Sequence, residues 1–274
     1  MKNLTIIKAG YFYSDAGASL GNLPRALWGR FLPIDKKKHR IRLDINLLLI
    51  ETQGRVILVD TGLGNKLTPK EKEIFSPHVK KFSKILSEAG FNNEDITDVI
   101  MTHLHHDHAG GIVTLSNSRQ EYLTFPNAVY HIQSKEWEIA REPDMVNAAA
   151  YDFKRNLKLL EQKGRINMID GDYTLCKGVH LKLVGGHTEG MQIVIINYKD
   201  FKCIYDGDII PSKTFLKLPI TSAYDVCRKD TVNAKCWIFN QMLREGYTLI
   251  FDHETRDIFY DLPYREDDLI DSCD

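Results

Sequence analysis

Val56-Ile57-Leu58-Val59 is apolar at four consecutive positions and ends in Asp60-Thr61-Gly62. A strand with one wet face alternates apolar and polar residues, so this run belongs in the middle of a sheet covered on both faces. Residues 41–51 supply the strand before it, and Gln53-Gly54 between the two runs is a hairpin signal. Further strands are expected at 1–13, 98–102, 129–132, 181–184, 192–197, 201–205 and 248–251. One helix is expected to open at Ser76-Pro77, carry Val79, Phe82, Ile85, Leu86 and Ala89 at helical spacing, and close at Gly90. A second is expected over 231–245, closed by Gly246. Strands and helices follow one another in both halves, so the class is α/β, with a single domain over 1–274.

Two stretches depart from that rhythm. Residues 14–40 hold Gly17, Gly21, Pro24, Gly29 and Pro33, followed by Lys36-Lys37-Lys38-His39-Arg40, which reads as an N-terminal arm. Its Leu20, Leu23, Leu27, Trp28, Phe31 and Leu32 are apolar enough to need cover. They can cover a pocket mouth, form a homodimer interface, or pack onto their own domain. Residues 134–163 are helical, polar and interrupted at Pro143, and read as a helical insertion.

Lys plus Arg total 36 and Asp plus Glu total 37 in 274 residues, a net charge of −1. That balance argues against nucleic acid as the main partner, since phosphate binding needs a basic surplus. The N-terminus shows no signal-peptide core, and no apolar run approaches the roughly 20 residues that span a bilayer, so no membrane partner is expected. The 5 cysteines are scattered without a C-x-x-C pair, which speaks against a disulfide scaffold and for a reduced, cytoplasmic setting.

The chemistry is concentrated in Thr102-His103-Leu104-His105-His106-Asp107-His108-Ala109-Gly110-Gly111. The pattern H-x-H-x-D-H arises by chance on the order of once in a thousand such chains. Imidazole and carboxylate suit zinc and similar first-row metals. Residues two apart on extended chain point the same way, so His103 and His105 can converge on one ion as the strand ends. Asp107 and His108 come after the turn and suit a second ion. His106 is expected to point away, and Gly110-Gly111 to let the backbone turn tightly.

In this motif the chain resembles the metallo-β-lactamase superfamily, and four other stretches match in order. Val59-Asp60-Thr61-Gly62 matches the first motif, whose Asp supports the site. Gly185-Gly186-His187-Thr188-Glu189-Gly190-Met191 looks like the G-H-T-x-G-H segment, with Met191 in place of its second histidine. Tyr205-Asp206-Gly207-Asp208 resembles the G-D motif, with Asp206 a rival two residues from Asp208. Phe251-Asp252-His253 sits where the last histidine belongs.

The resemblance implies an αβ/βα sandwich of two mixed β-sheets flanked by helices. It implies two divalent metal ions, zinc foremost, with manganese or iron as other candidates. His103, His105 and His187 would hold the first ion and Asp107, His108 and His253 the second, with Asp208 and a hydroxide bridging. Asp107 and Asp208 would be the catalytic carboxylates, Asp107 as proton shuttle. Within the superfamily the chain most resembles the quorum-quenching N-acyl-homoserine lactonase-like branch, on Val59 to Lys66, Met101 to His105, Phe125-Pro126-Asn127-Ala128, residues 134–137, Asp208-Ile209-Ile210-Pro211 and Ala223-Tyr224-Asp225. That implies a small ester or lactone as substrate. The branch places a Tyr three residues after the bridging Asp, where this chain has Pro211; Tyr224, Tyr11 or Tyr13 are substitutes to test. Rival enzyme readings are a glyoxalase II-like thioesterase, a β-lactamase and a phosphodiesterase. The acidic stretch 265–271 gives no basic clamp for glutathione. A reading of another class is an iron-binding redox or sensor module.

Overall fold

The computed structural model describes residues 3–31, 33–35 and 37–262, so the acidic stretch at 265–271 lies outside the described residues. The chain forms two compact units, Met1–Phe12 with Ile45–Asp170 and Tyr13–Asp44 with Gly171–Asp274. Among the described residues no helix is long and apolar enough to cross a membrane.

The strands of the first part of the chain are β1 (Asn3–Asp15), β2 (Ile34–Asp35), β3 (Arg40–Thr52), β4 (Arg55–Val59), β5 (His78–Val79), β6 (Asp98–Ile100), β7 (Val113–Leu115), β8 (Glu121–Leu123), β9 (Val129–Gln133) and β10 (Ile166–Ile169). They order as β10-β9-β6-β4-β3-β1-β5, with β2 on β3 and a separate β7-β8 hairpin. β4, β6, β9 and β10 run parallel, while β3 lies antiparallel to β4 and β5 to β1. The sheet is therefore mixed. Ile57, Leu58 and Val59 are fully buried between β6 and β3, the central position their uninterrupted apolar run demands. Thr52 pairs with Arg55 across Gln53 and Gly54, whose φ values of 50° and 75° give the left-handed two-residue turn that matches strand twist.

The helix expected from Ser76 is placed differently. Thr68 caps a helix over Pro69–Phe75, accepting from the Glu71 N–H while the Glu71 carboxylate accepts from the Thr68 N–H. This reciprocal box, with Pro at the first position, outweighs the Ser-Pro signal. Ser76 instead ends that helix in left-handed conformation at φ 40°. Val79 belongs to β5, and the apolar positions Phe82, Ile85 and Leu86 bury one face of a separate helix, Phe82–Glu88. The helices Ser134–Arg141, Phe153–Asn156 and Lys158–Lys163 lie between β9 and β10. Parallel neighbours need a crossover of this length, so the stretch at 134–163 serves as one.

The second unit carries β11 (Tyr173–Cys176), β12 (Val179–Leu183), β13 (Gln192–Tyr198), β14 (Phe201–Tyr205), β15 (Thr248–Ile250) and β16 (Phe259–Tyr260), ordered as numbered. All neighbours are antiparallel except β14 and β15, so this sheet is mixed too. The long helix Arg228–Glu245 links that parallel pair and ends at Gly246, φ 69°, as its sequence signals. Ile238, Phe239 and Met242 from its apolar face join Ile193, Ile204, Leu249 and Phe251 in one core.

That core also takes in the arm. Ala16, Leu20 and Leu23 are buried in it, the first two on a helix over Ala16–Leu20, and Leu27 and Trp28 pack against it. The Trp28 indole N–H donates to the Leu23 carbonyl at 2.8 Å. Of the three uses open to the arm's apolar residues, packing onto its own unit accounts for Leu20 and Leu23; Leu32 lies outside the described residues. Cys176, Cys203 and Cys227 are free thiols.

Candidate metal centre

Parallel strands that end in register place the residues after them side by side, and both units use this. In the first unit Val59 of β4 pairs with Ile100 of β6, so Asp60 emerges beside Met101-Thr102-His103. The Asp60 backbone N–H donates to the Ile100 carbonyl at 2.9 Å. Asp60, fully buried and at φ 60°, accepts the Thr102 N–H on Oδ1 and the Thr102 hydroxyl on Oδ2, each at 2.8 Å. Its Oδ2 also accepts Nδ1 of His108 at 2.9 Å. Having given its hydrogen to Asp60, the Thr102 hydroxyl accepts from Nδ1 of His103 at 3.1 Å. His103 and His108 are thereby held in the tautomer whose lone pair sits on Nε2, the arrangement metal-binding histidines take.

The ring centroids of His103 lie 4.6 Å from His105 and 4.1 Å from His108. All three rings are buried, and an Asp107 carboxylate oxygen stands 4.0 Å from Nε2 of His108. The backbone between His103 and His105 is held from outside by Glu136, 1% exposed, which accepts the Leu104 N–H at 2.8 Å and the Tyr151 hydroxyl at 2.9 Å. Tyr151 lays its ring 4.9 Å from that of His105. His106 faces elsewhere, stacked on Phe75 at 5.1 Å. The glycines after the motif answer a close approach as well as a turn: a Cβ on Gly111 would stand 2.0 Å from the Thr61 carbonyl oxygen.

In the second unit Tyr205 of β14 pairs with Ile250 of β15, and the residues that follow are Asp206-Gly207-Asp208 and Phe251-Asp252-His253. Asp208 turns Oδ2 to Nε2 of His187 at 3.0 Å and Oδ1 to Nε2 of His253 at 3.1 Å. Nδ1 of His253 donates to the Asp44 carbonyl at 2.7 Å, and Nδ1 of His187 donates to Asp225 at 2.9 Å. With Nδ1 so engaged, these rings too leave Nε2 as the nitrogen that faces Asp208. Burial alone would lower the basicity of His187, but Asp208 and Asp225 on its two nitrogens raise its pKa to about 10. A site that favours a cation so strongly there suits a divalent ion as well as a proton. Gly186, at φ 91°, leaves room for Thr231 of the long helix just before His187, where a Cβ would meet the Thr231 nitrogen at 2.6 Å.

Asp206 is the buried rival. It is 0% exposed, and burial pushes its carboxyl well above the usual carboxylate range. Asp208, beside both histidines, is the carboxylate fit to bridge. Tyr224 is 47% exposed, Tyr11 stacks on His78 at 5.2 Å, and Tyr13 lies 5.0 Å under the Arg40 guanidinium. Pro211 contributes its carbonyl, which accepts the His253 N–H at 3.1 Å. The supporting roles of Thr102, Glu136 and Tyr151 have no sequence signal, because their partners are set by tertiary pairing. The donor chemistry throughout, His and Asp groups with the second ring nitrogen held, fits divalent metal.

The family model described as Metallo-beta-lactamase superfamily matches residues 40–232. The chain belongs to this superfamily and has its fold. An N-acyl homoserine lactonase of Bacillus sp is 30% identical over 159 residues, which are 54% of this chain and 56% of the relative. The chain thus spans little more than half the length of the curated relatives it matches. A probable metal-dependent hydrolase from Staphylococcus aureus has a similar structure, with TM-score 0.85, 24% identity, and coverage of 92% of this chain and 89% of that one. A dizinc quorum-quenching lactonase bound to its product gives TM-score 0.74 at 22% identity, covering 96% and 92%.

Proposed function

We propose that this chain is a dinuclear metal-dependent hydrolase of esters, acting on lactones. His103, His105 and His187 hold one divalent ion, Asp107, His108 and His253 the other, and Asp208 is shared; zinc is the first metal to test. The observation that carries the reading is Asp208, one oxygen at His187 and the other at His253, with each histidine oriented through its far nitrogen. Support for the substrate comes from relatives that bear the name N-acyl homoserine lactonase.

Two ions bound there would supply Lewis acidity toward the ester carbonyl and a water acidified to near neutrality. The chain does the rest. Asp107, 13% exposed at its side chain, is placed on the turn where it can carry a proton to the departing alkoxide. Asp60 and Glu136 hold the turn fixed, so that the reacting groups need no rearrangement. Hydrolysis of a lactone breaks the ring C–O bond, adds water across it, and leaves a hydroxy acid.

The test is acid release at constant pH from metal-analysed protein, across lactones, thioesters, phosphodiesters and β-lactams. Lactone turnover that disappears in His105→Ala is the expected result. Thioesters or phosphodiesters turning over about a hundredfold faster, with lactones at background, would remove the lactonase assignment.

A further inference from the structure

Lys235 is the most deeply buried cation among the described residues, 0% exposed in the middle of the helix Arg228–Glu245. An ammonium withdrawn from water is costly and is kept where its charge and its donors are used. Its Nζ donates to the carbonyls of Phe215 at 2.8 Å and Ile220 at 2.5 Å. Those hydrogen bonds fix both ends of the segment that continues into Ser222 and Asp225. Its charge acts on two buried acids, Asp225 and Asp206. Asp225 is the carboxylate on Nδ1 of His187, and it also accepts the Ser222 N–H at 3.2 Å. Asp206 precedes Gly207-Asp208 at the end of β14. One cation therefore braces the segment that leads to Asp225, the carboxylate on His187, without touching the histidine itself.

We propose that Lys235 is a positioning residue of the metal centre, clamping the segment that leads to Asp225 so that Nδ1 of His187 stays engaged and Nε2 is presented to an ion. The inference rests on the metal-binding reading of His187 and Asp208. Burial drives the Lys235 pKa down to about 8, with Asp225 and Asp206 opposing the fall.

The experiment follows zinc affinity by competition with a chromophoric chelator, alongside the melting temperature of the metal-free protein. Lys235→Met removes charge and donors together, whereas Lys235→Gln keeps an amide donor for the Phe215 and Ile220 carbonyls. Lys235→Gln is expected to fold, to bind its zinc at least about tenfold more weakly, and to shift the His187 Nδ1–H resonance of the zinc-loaded protein. In an Asp225→Asn background the same replacement should cost no further affinity, because the group it acts through is gone. Additive losses, or unchanged affinity with a lowered melting temperature, would assign Lys235 to the fold alone. So would failure of both variants to fold. Wild-type protein that takes up no zinc would instead overturn the metal reading itself, a distinguishable outcome.

Discussion

Asp60 accepts both donors of Thr102, the backbone N–H and the hydroxyl, at 2.8 Å each, from the end of the neighbouring parallel strand. The pair ties β4 to the histidine-bearing turn after β6, and the same carboxylate carries Nδ1 of His108. Asp60→Ala leaves three buried donors without their acceptor. Unsatisfied buried groups cost about 1–3 kcal/mol each where nothing replaces the partner, and partial relaxation reduces the sum. The expected loss is about 2–4 kcal/mol of unfolding free energy, together with reduced zinc content. Urea unfolding and elemental analysis read the two effects. A variant with full zinc content and unchanged stability would contradict the role.

Asp206 and Asp208 separate cleanly under amide substitution. Burial raises the Asp206 carboxyl well above the usual carboxylate range and disfavours its charged form, so Asp206→Asn should be tolerated and retain zinc. Asp208 lies between His187 and His253, and Asp208→Asn removes a charge that a shared ligand must supply. Its zinc content and hydrolysis should collapse together. Equal zinc loss in both variants would make the shared carboxylate the wrong one of the two.

The ion pair of Glu71 with Arg155 predicts a pH signature. Both guanidinium contacts are 2.7 Å, and with the Thr68 N–H they lower the Glu71 pKa to about 2. A carboxylate depressed in the folded state contributes stability above its unfolded value near 4.3, and that contribution fades as pH falls through about 2. Glu71→Gln should cost about 1–2 kcal/mol at neutral pH, allowing for the partial exposure of the pair. The gap between variant and wild type should close between about pH 4.5 and pH 2. Thermal melts across that range check it, and a gap independent of pH would point to capping geometry alone.

What was legible in the sequence is what local rules set. The H-x-H-x-D-H run after a strand, the Gln53-Gly54 hairpin and the Gly246 stop each depend on residues within a few positions of one another. The Ser76 start failed because two local signals competed, and the Thr68–Glu71 box, with its two reciprocal hydrogen bonds, prevailed. The arm at 14–40 could not be placed because its apolar residues fit several surfaces equally, and only the core of the second unit selects among them. Glu136 and Lys235 look like ordinary helical residues in sequence, since nothing local reveals that a helix buries its charged position. The parallel pairings of β4 with β6 and of β14 with β15 explain why the H-x-H-x-D-H, Asp208 and His253 stretches stand at strand ends, although the sequence shows only that each follows a strand.

Glu136 offers the sharpest test of how far the turn depends on support from outside the motif. It is 1% exposed and spends its Oε1 on the Leu104 N–H and the Tyr151 hydroxyl, 2.8 and 2.9 Å away. Leu104 lies between His103 and His105, so that backbone hydrogen bond fixes the spacing of two imidazoles. Glu136→Gln can keep the acceptor with its amide oxygen, but it loses the negative charge that strengthens both bonds. Tyr151→Phe removes one donor and leaves the bond to Leu104 in place. The amide variant should therefore lose about 1–2 kcal/mol of stability and some zinc affinity, and Glu136→Leu should lose more of both. Tyr151→Phe should cost about 1 kcal/mol and leave zinc affinity close to wild type. Chelator competition on the three variants orders them, and a larger zinc loss in Tyr151→Phe than in Glu136→Gln would show that the phenol, not the carboxylate, holds the His105 side of the turn.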